Sequence, residues 1–107
     1  MIVCIYLLHI LFFSCQEGVR FMEKCVSAEQ PFMLYWTPDA THEPLYASTS
    51  FLGHSQRGLY GDAVMELDSG VGVLLQKIKD LGIGNNTFVL FSSDNGAALY
   101  AGEMGKC

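Results

Sequence analysis

Two short apolar runs, Phe32-Met33-Leu34-Tyr35-Trp36 and Thr87-Phe88-Val89-Leu90-Phe91, bracket the longest amphipathic stretch of the sequence. Each run has strand length and is apolar throughout, the pattern of a strand covered on both faces. Between them Tyr60, Ala63, Val64, Leu67, Val71, Leu74, Leu75, Ile78 and Leu81 fall on one stripe, while Asp62, Glu66, Ser69, Gln76, Lys77 and Lys79 take the other side. That spacing predicts a helix over residues 55–81, capped by Ser55 and closed by Gly82. Gly70 and Gly72 each weaken such a helix by about 1 kcal/mol relative to alanine, which marks them as sites of close packing. Strand, helix-bearing connection, strand is the signature of a parallel crossover, so the expected class is α/β. A shorter amphipathic helix precedes it over 17–29, built on Phe21, Met22, Cys25 and Val26 and stopped by Pro31.

Two strands cannot cover both edges and both faces of a parallel sheet. A chain of 107 residues with this pattern therefore reads as a piece of a larger domain, or as a subunit that leans on a partner. The formal net charge is -5, and the six Lys and Arg residues are scattered, which excludes a nucleic-acid binder and a basic membrane-surface patch. Cys4, Cys15, Cys25 and Cys107 form no C-x-x-C pair and no zinc spacing. Residues 1–15 are an apolar leader, set apart from a domain over 16–107. Three readings of it stay open: a signal-like segment, a non-native leader translated from intron-like sequence, and a buried strand.

Ligands of open α/β sheets gather beyond the carboxyl ends of the strands, and there both runs end in polar residues. The first is followed by Asp39-Ala40-Thr41-His42-Glu43-Pro44 inside a long loop over 37–54, the second by Ser92-Ser93-Asp94-Asn95-Gly96. If the strands are parallel neighbours, the two loops open on the same side. Asp94 and Asn95 carry hard oxygen donors suited to calcium or magnesium, although Asp-Asn-Gly is also an ordinary turn. His42 is either a surface histidine or a proton donor to a leaving oxygen. Asn85-Asn86-Thr87 is a glycosylation sequon, which matters only in the secretory route.

Three segments, PFMLYWTPDATHEPLYAS (31–48), SQRGLYGDAVMELDSGVG (55–72) and NNTFVLFSSDNGAAL (86–99), give the chain a wider resemblance. In order and spacing they resemble the sulfatase family, most nearly its branch acting on 6-sulfated galactose and N-acetylgalactosamine. The resemblance implies an alkaline-phosphatase-like α/β fold that hydrolyses sulfate esters with calcium and a formylglycine made from cysteine. It further implies sulfated glycosaminoglycan or a small sulfate ester as substrate, a lysosomal or secretory location and a possible homodimer of the full-length protein. Asp94 and Asn95 match the family's calcium-ligand pair, and His42 matches its histidine near the leaving oxygen. Lys106, after Gly105, stands where the family carries a lysine, but its surroundings do not match. No cysteine is followed by the Cys-x-Pro/Ala-x-Arg nucleophile motif, and the upstream acidic pair is missing. The chain alone is thus expected to be inactive. The rivals are an arylsulfatase-like specificity and a truncated, non-catalytic isoform that binds another sulfatase subunit.

Overall fold

The computed structural model describes residues 2–5 and 11–96. Strand β1 (Ile2–Ile5) leads to helix α1 (Leu11–Ser27), strand β2 (Met33–Trp36) and helix α2 (Gly58–Asp80), followed by one 3-10 turn over Gly84–Asn86. β1 and β2 pair in parallel, with Ile2 opposite Met33 and Ile5 opposite Trp36. A parallel crossover is therefore present, but it runs through α1 and not through α2. Residues 87–91 join no sheet among the described residues, and Phe88, Leu90 and Phe91 are 89%, 77% and 74% exposed. This corrects the expected strand-helix-strand unit: an apolar run becomes a strand only where a neighbouring backbone completes its ladder.

Helix α1 starts six residues earlier than its charge pattern suggests. Leu11, Cys15, Gly18, Met22 and Cys25 are all buried, and their alternating spacing of four and three extends one stripe back through the apolar leader. The helix ends in a Schellman motif: the Glu29 amide donates to Val26 O and the Gln30 amide to Cys25 O, with Glu29 at φ 52°. Pro31 follows two residues later.

α2 spans 23 residues and closes as its sequence predicts. Gly82 adopts φ 68°, its amide donates to Lys79 O, and the Ile83 amide donates to Ile78 O. Only part of the long apolar stripe is covered. Ala63, Gly70 and Leu74 are buried, whereas Tyr60, Val64 and Leu75 are exposed.

The helices meet where side chains are small. A Cβ placed on Gly70 would lie 2.9 Å from Cys15 Sγ, 2.9 Å from Leu11 Cδ2 and 3.0 Å from Trp36 Cη2. One placed on Gly18 would lie 3.1 Å from Leu74 Cδ2. Farther along, Lys77 Nζ reaches Glu23 Oε1 at 2.8 Å. Numbering rises together in these contacts, so α1 and α2 run side by side in the same direction. At one end of this seam Leu11, Cys15 and Ala40 form a small core against Trp36 and Leu67. Trp36 Nε1 donates to Ser14 Oγ at 2.9 Å, and that hydroxyl donates to Leu11 O at 2.9 Å. The indole's polar edge is thereby satisfied while its ring closes the core.

Candidate functional site

The loop between β2 and α2 carries His42, and it is tied down at several points. The Asp39 carbonyl accepts the His42 amide at 3.0 Å, and Asp39 Oδ1 accepts the Tyr46 hydroxyl at 2.9 Å. Burial, the hydrogen bond to Asp39 and the charges of Asp39 and Glu66 push Tyr46 up to about 12, so it remains a donor. Ala40, between them, is buried in the core. His42 itself is exposed, with Nδ1 2.7 Å from the Glu43 carbonyl oxygen. A carbonyl only accepts, so Nδ1 carries the proton and Nε2 is the nitrogen left to exchange one with a ligand.

Two carboxylates on α2 hold the far half of the loop. Glu66 Oε2 accepts the Ser48 amide at 2.8 Å. Asp62 Oδ2 accepts the Gly53 amide at 2.9 Å, and its Oδ1 accepts the Ser55 amide at 2.7 Å. Asp62 is buried, and the hydrogen bonds from Gly53 and Ser55, helped by His54, keep its carboxyl below the usual range. Ser55 does not cap α2 as expected. Arg57 occupies the cap position, and Ser55 Oγ accepts the Arg57 amide at 3.0 Å to shape the turn before the helix. Asp39 and Tyr46 belong to the loop that the sequence already offers as a candidate, Tyr46 as a residue that either lines a sugar site or simply packs, whereas Asp62 and Glu66 read from the sequence only as the solvated side of α2. The available signal was a pair of carboxylates four residues apart near the start of a helix that follows a Gly- and Ser-containing loop.

Asp94 and Asn95 lie in an exposed bend where Ser93 Oγ donates to Asn95 O at 2.8 Å. Because 87–91 pairs with no strand among the described residues, the premise that would set this bend beside the His42 loop is not met within the chain. The two residues offer the hard oxygens that calcium prefers. Calcium takes six to eight such donors, however, and among the described residues no three His, Cys, Asp or Glu side chains converge to hold a metal. The described residues do not by themselves make a calcium site.

No described thiol is poised for attack. Cys15 and Cys25 are free and buried, and burial pushes the Cys15 thiol up to about 11. Lys106 lies outside the described residues, as do Cys107 and the side chain of Cys4. Among the described residues no helix is long and apolar enough to cross a membrane.

Comparison with known proteins bears directly on this arrangement. The Sulfatase family model matches residues 15–106. The chain is 58% identical over 84 residues to an N-acetylgalactosamine-6-sulfatase of Canis lupus familiaris, covering 78% of this chain and 16% of that protein. The Homo sapiens N-acetylgalactosamine-6-sulfatase is 55% identical over the same length and the same shares. Arylsulfatase A of Bos taurus is 44% identical over 78 residues, 73% of this chain and 15% of the relative. The chain thus spans about one-sixth of the length of the relatives it matches.

Proposed function

The chain belongs to the sulfatase family, and from that membership we propose that it serves as part of a sulfuric ester hydrolase that removes 6-sulfate from galactose or N-acetylgalactosamine in glycosaminoglycans. The observation that carries the substrate class is the gap in identity, 55–58% to N-acetylgalactosamine-6-sulfatases against 42–44% to arylsulfatase A. An alkaline-phosphatase-like fold, a lysosomal or secretory location, glycosylation of Asn85 and a homodimer of the full-length protein belong to the same reading.

In this reading His42, protonated on both ring nitrogens, delivers the Nε2 proton to the leaving sugar oxygen and is left as the Nδ1–H imidazole, its ring oriented by the Nδ1 hydrogen bond to Glu43 O. Asp94 and Asn95 would contribute two oxygens to a calcium site whose other donors lie outside the described residues. A cation held there would supply positive charge to offset that of the sulfate. The nucleophile, a formylglycine in the family, also comes from elsewhere, since the described cysteines are buried and lack the motif.

The test compares hydrolysis of a 6-sulfated N-acetylgalactosamine oligosaccharide and of an aryl sulfate. It uses the full-length sulfatase that carries this segment and, separately, the 107-residue chain. The full-length enzyme should favour the sugar ester, and the short chain should turn over neither. Turnover by the short chain refutes the need for an outside nucleophile, and an exclusive preference for the aryl ester supports the arylsulfatase alternative.

One observation favours a second reading. The exposed run Phe88–Phe91 suits a non-catalytic remnant that docks on another sulfatase subunit. Gel filtration of the chain with and without full-length enzyme separates the two, because only a docking module forms a complex of defined size.

A further inference from the structure

Resting on the role assigned to His42, we propose that Asp62 and Glu66 are positioning residues for it, a two-carboxylate clamp on α2 that fixes the His42 loop by its backbone amides. The two side chains stand four residues apart, one helical turn, and so share a face of α2. Between them they take the amides of Ser48, Gly53 and Ser55.

The restraint is passed back to His42 in short steps. Ser48 is two residues from Tyr46, whose hydroxyl binds Asp39 Oδ1. The Asp39 carbonyl in turn accepts the His42 amide. Ala40 adds an anchor in the core. His42 is therefore carried on a short arc held on both sides, while its own side chain stays exposed to meet a ligand. This matters because an exposed loop histidine gains nothing from burial to order it, and an error of about 1 Å in a catalytic group can cost about a hundredfold in rate. The amide hydrogen bonds also keep Asp62 ionised in mildly acidic solution, so the clamp persists there.

The two carboxylates differ in what they must do. Glu66 serves one amide with one oxygen. Asp62 serves two amides with two oxygens, which an asparagine cannot reproduce because its nitrogen only donates. Conservative amide variants therefore separate a clamp from general packing.

The experiment uses the full-length sulfatase carrying this segment, with amide hydrogen exchange and steady-state kinetics measured on Asp62→Asn, Glu66→Ala, Glu66→Gln and His42→Gln. Asp62→Asn should speed exchange at Gly53 or Ser55 by about tenfold or more, leave mid-helix amides of α2 unchanged, and lower kcat by about tenfold to a hundredfold with KM nearly constant. Glu66→Ala should free the Ser48 amide and lower kcat, and Glu66→Gln should restore both. The proposal is overturned if exchange at these amides does not respond, or if the amides are freed while kcat stays at wild type. His42→Gln keeps the clamp intact, so wild-type kcat in that variant sinks the role of His42 itself and is not confused with a failed clamp.

Discussion

Gly70 and Gly72 sit two residues apart in α2, and alanine should stabilise at Gly72 but not at Gly70. In a helix interior alanine is favoured over glycine by about 1 kcal/mol. The close packing expected at both glycines fails at Gly72, where nothing lies within 4 Å of an added Cβ, so Gly72→Ala should keep that whole gain. At Gly70 the same methyl meets Cys15 Sγ, Leu11 Cδ2 and Trp36 Cη2 at 2.9, 2.9 and 3.0 Å. The leucine tip can shift, but the indole is held by its bond to Ser14, so the overlap is relieved by moving α1 or by leaving rotamer minima. Overpacking of this kind costs about 1–3 kcal/mol, which cancels or outweighs the propensity gain. Because propensity is common to both variants, the difference between them isolates the packing cost. With a urea slope of about 1–3 kcal/mol/M for a small protein, a difference of about 2 kcal/mol separates the midpoints by about 1 M. Pulse proteolysis across a urea series, at low protein concentration to limit association, would measure it. Equal stabilisation by both substitutions would refute the close approach of α1, Trp36 and α2 at Gly70.

Three further outcomes follow from other contacts. Glu29 holds the left-handed position that ends α1, so Glu29→Gly should stabilise the chain by about 1 kcal/mol in the same urea series; no gain would mean that the φ of 52° is not adopted. Cys15 is buried with its thiol raised to about 11, so alkylation at pH 8, followed by mass spectrometry, should modify it far more slowly in the folded chain than in urea. Equal rates would show that the α1 seam is open. The lowered carboxyl of Asp62 stabilises the fold above its ordinary pKa and loses that contribution as pH falls through the folded value. The stability difference between wild type and Asp62→Asn should therefore be constant above about pH 5 and shrink from about pH 4 downward, and a difference that grows in acid would contradict the hydrogen bonds to Gly53 and Ser55.

The legible parts of the molecule are those fixed by local pattern. The stripe from Ala63 to Ile78 and the glycine at 82 define α2 and its end without reference to anything distant. β2 was likewise readable from Phe32 to Trp36, with one residue of fraying. The start of α1 was hidden because Leu11, Phe12 and Phe13 are as apolar as any leader, and only their register with Cys15 and Gly18 reveals a helix face. The run 87–91 has the composition of a buried strand, yet composition does not supply the neighbouring ladder, and in this chain none of the described residues does. Asp62 was assigned to the polar side of the helix because periodicity counts every carboxylate as solvated. Its burial depends on two amides from a loop, a partnership that no periodicity records. His42 could be singled out as a residue, but the tautomer set by Glu43 O emerges only from the loop's conformation.

The length of α2 is close to the reach of the segment that follows it. From Asp62 to its end at Asp80 the helix rises about 27 Å, and an extended chain from Thr87 to Asp94 covers about 24 Å. Laid back along the helix, that segment would bring Asp94 nearly level with the clamp that holds the His42 loop. In that arrangement, which the described residues do not adopt, residue counts alone would set the distance from Asp94 to the His42 loop. Removing one turn from the middle of α2 would displace Asp94 by about 5 Å relative to Asp62 without altering a single polar side chain.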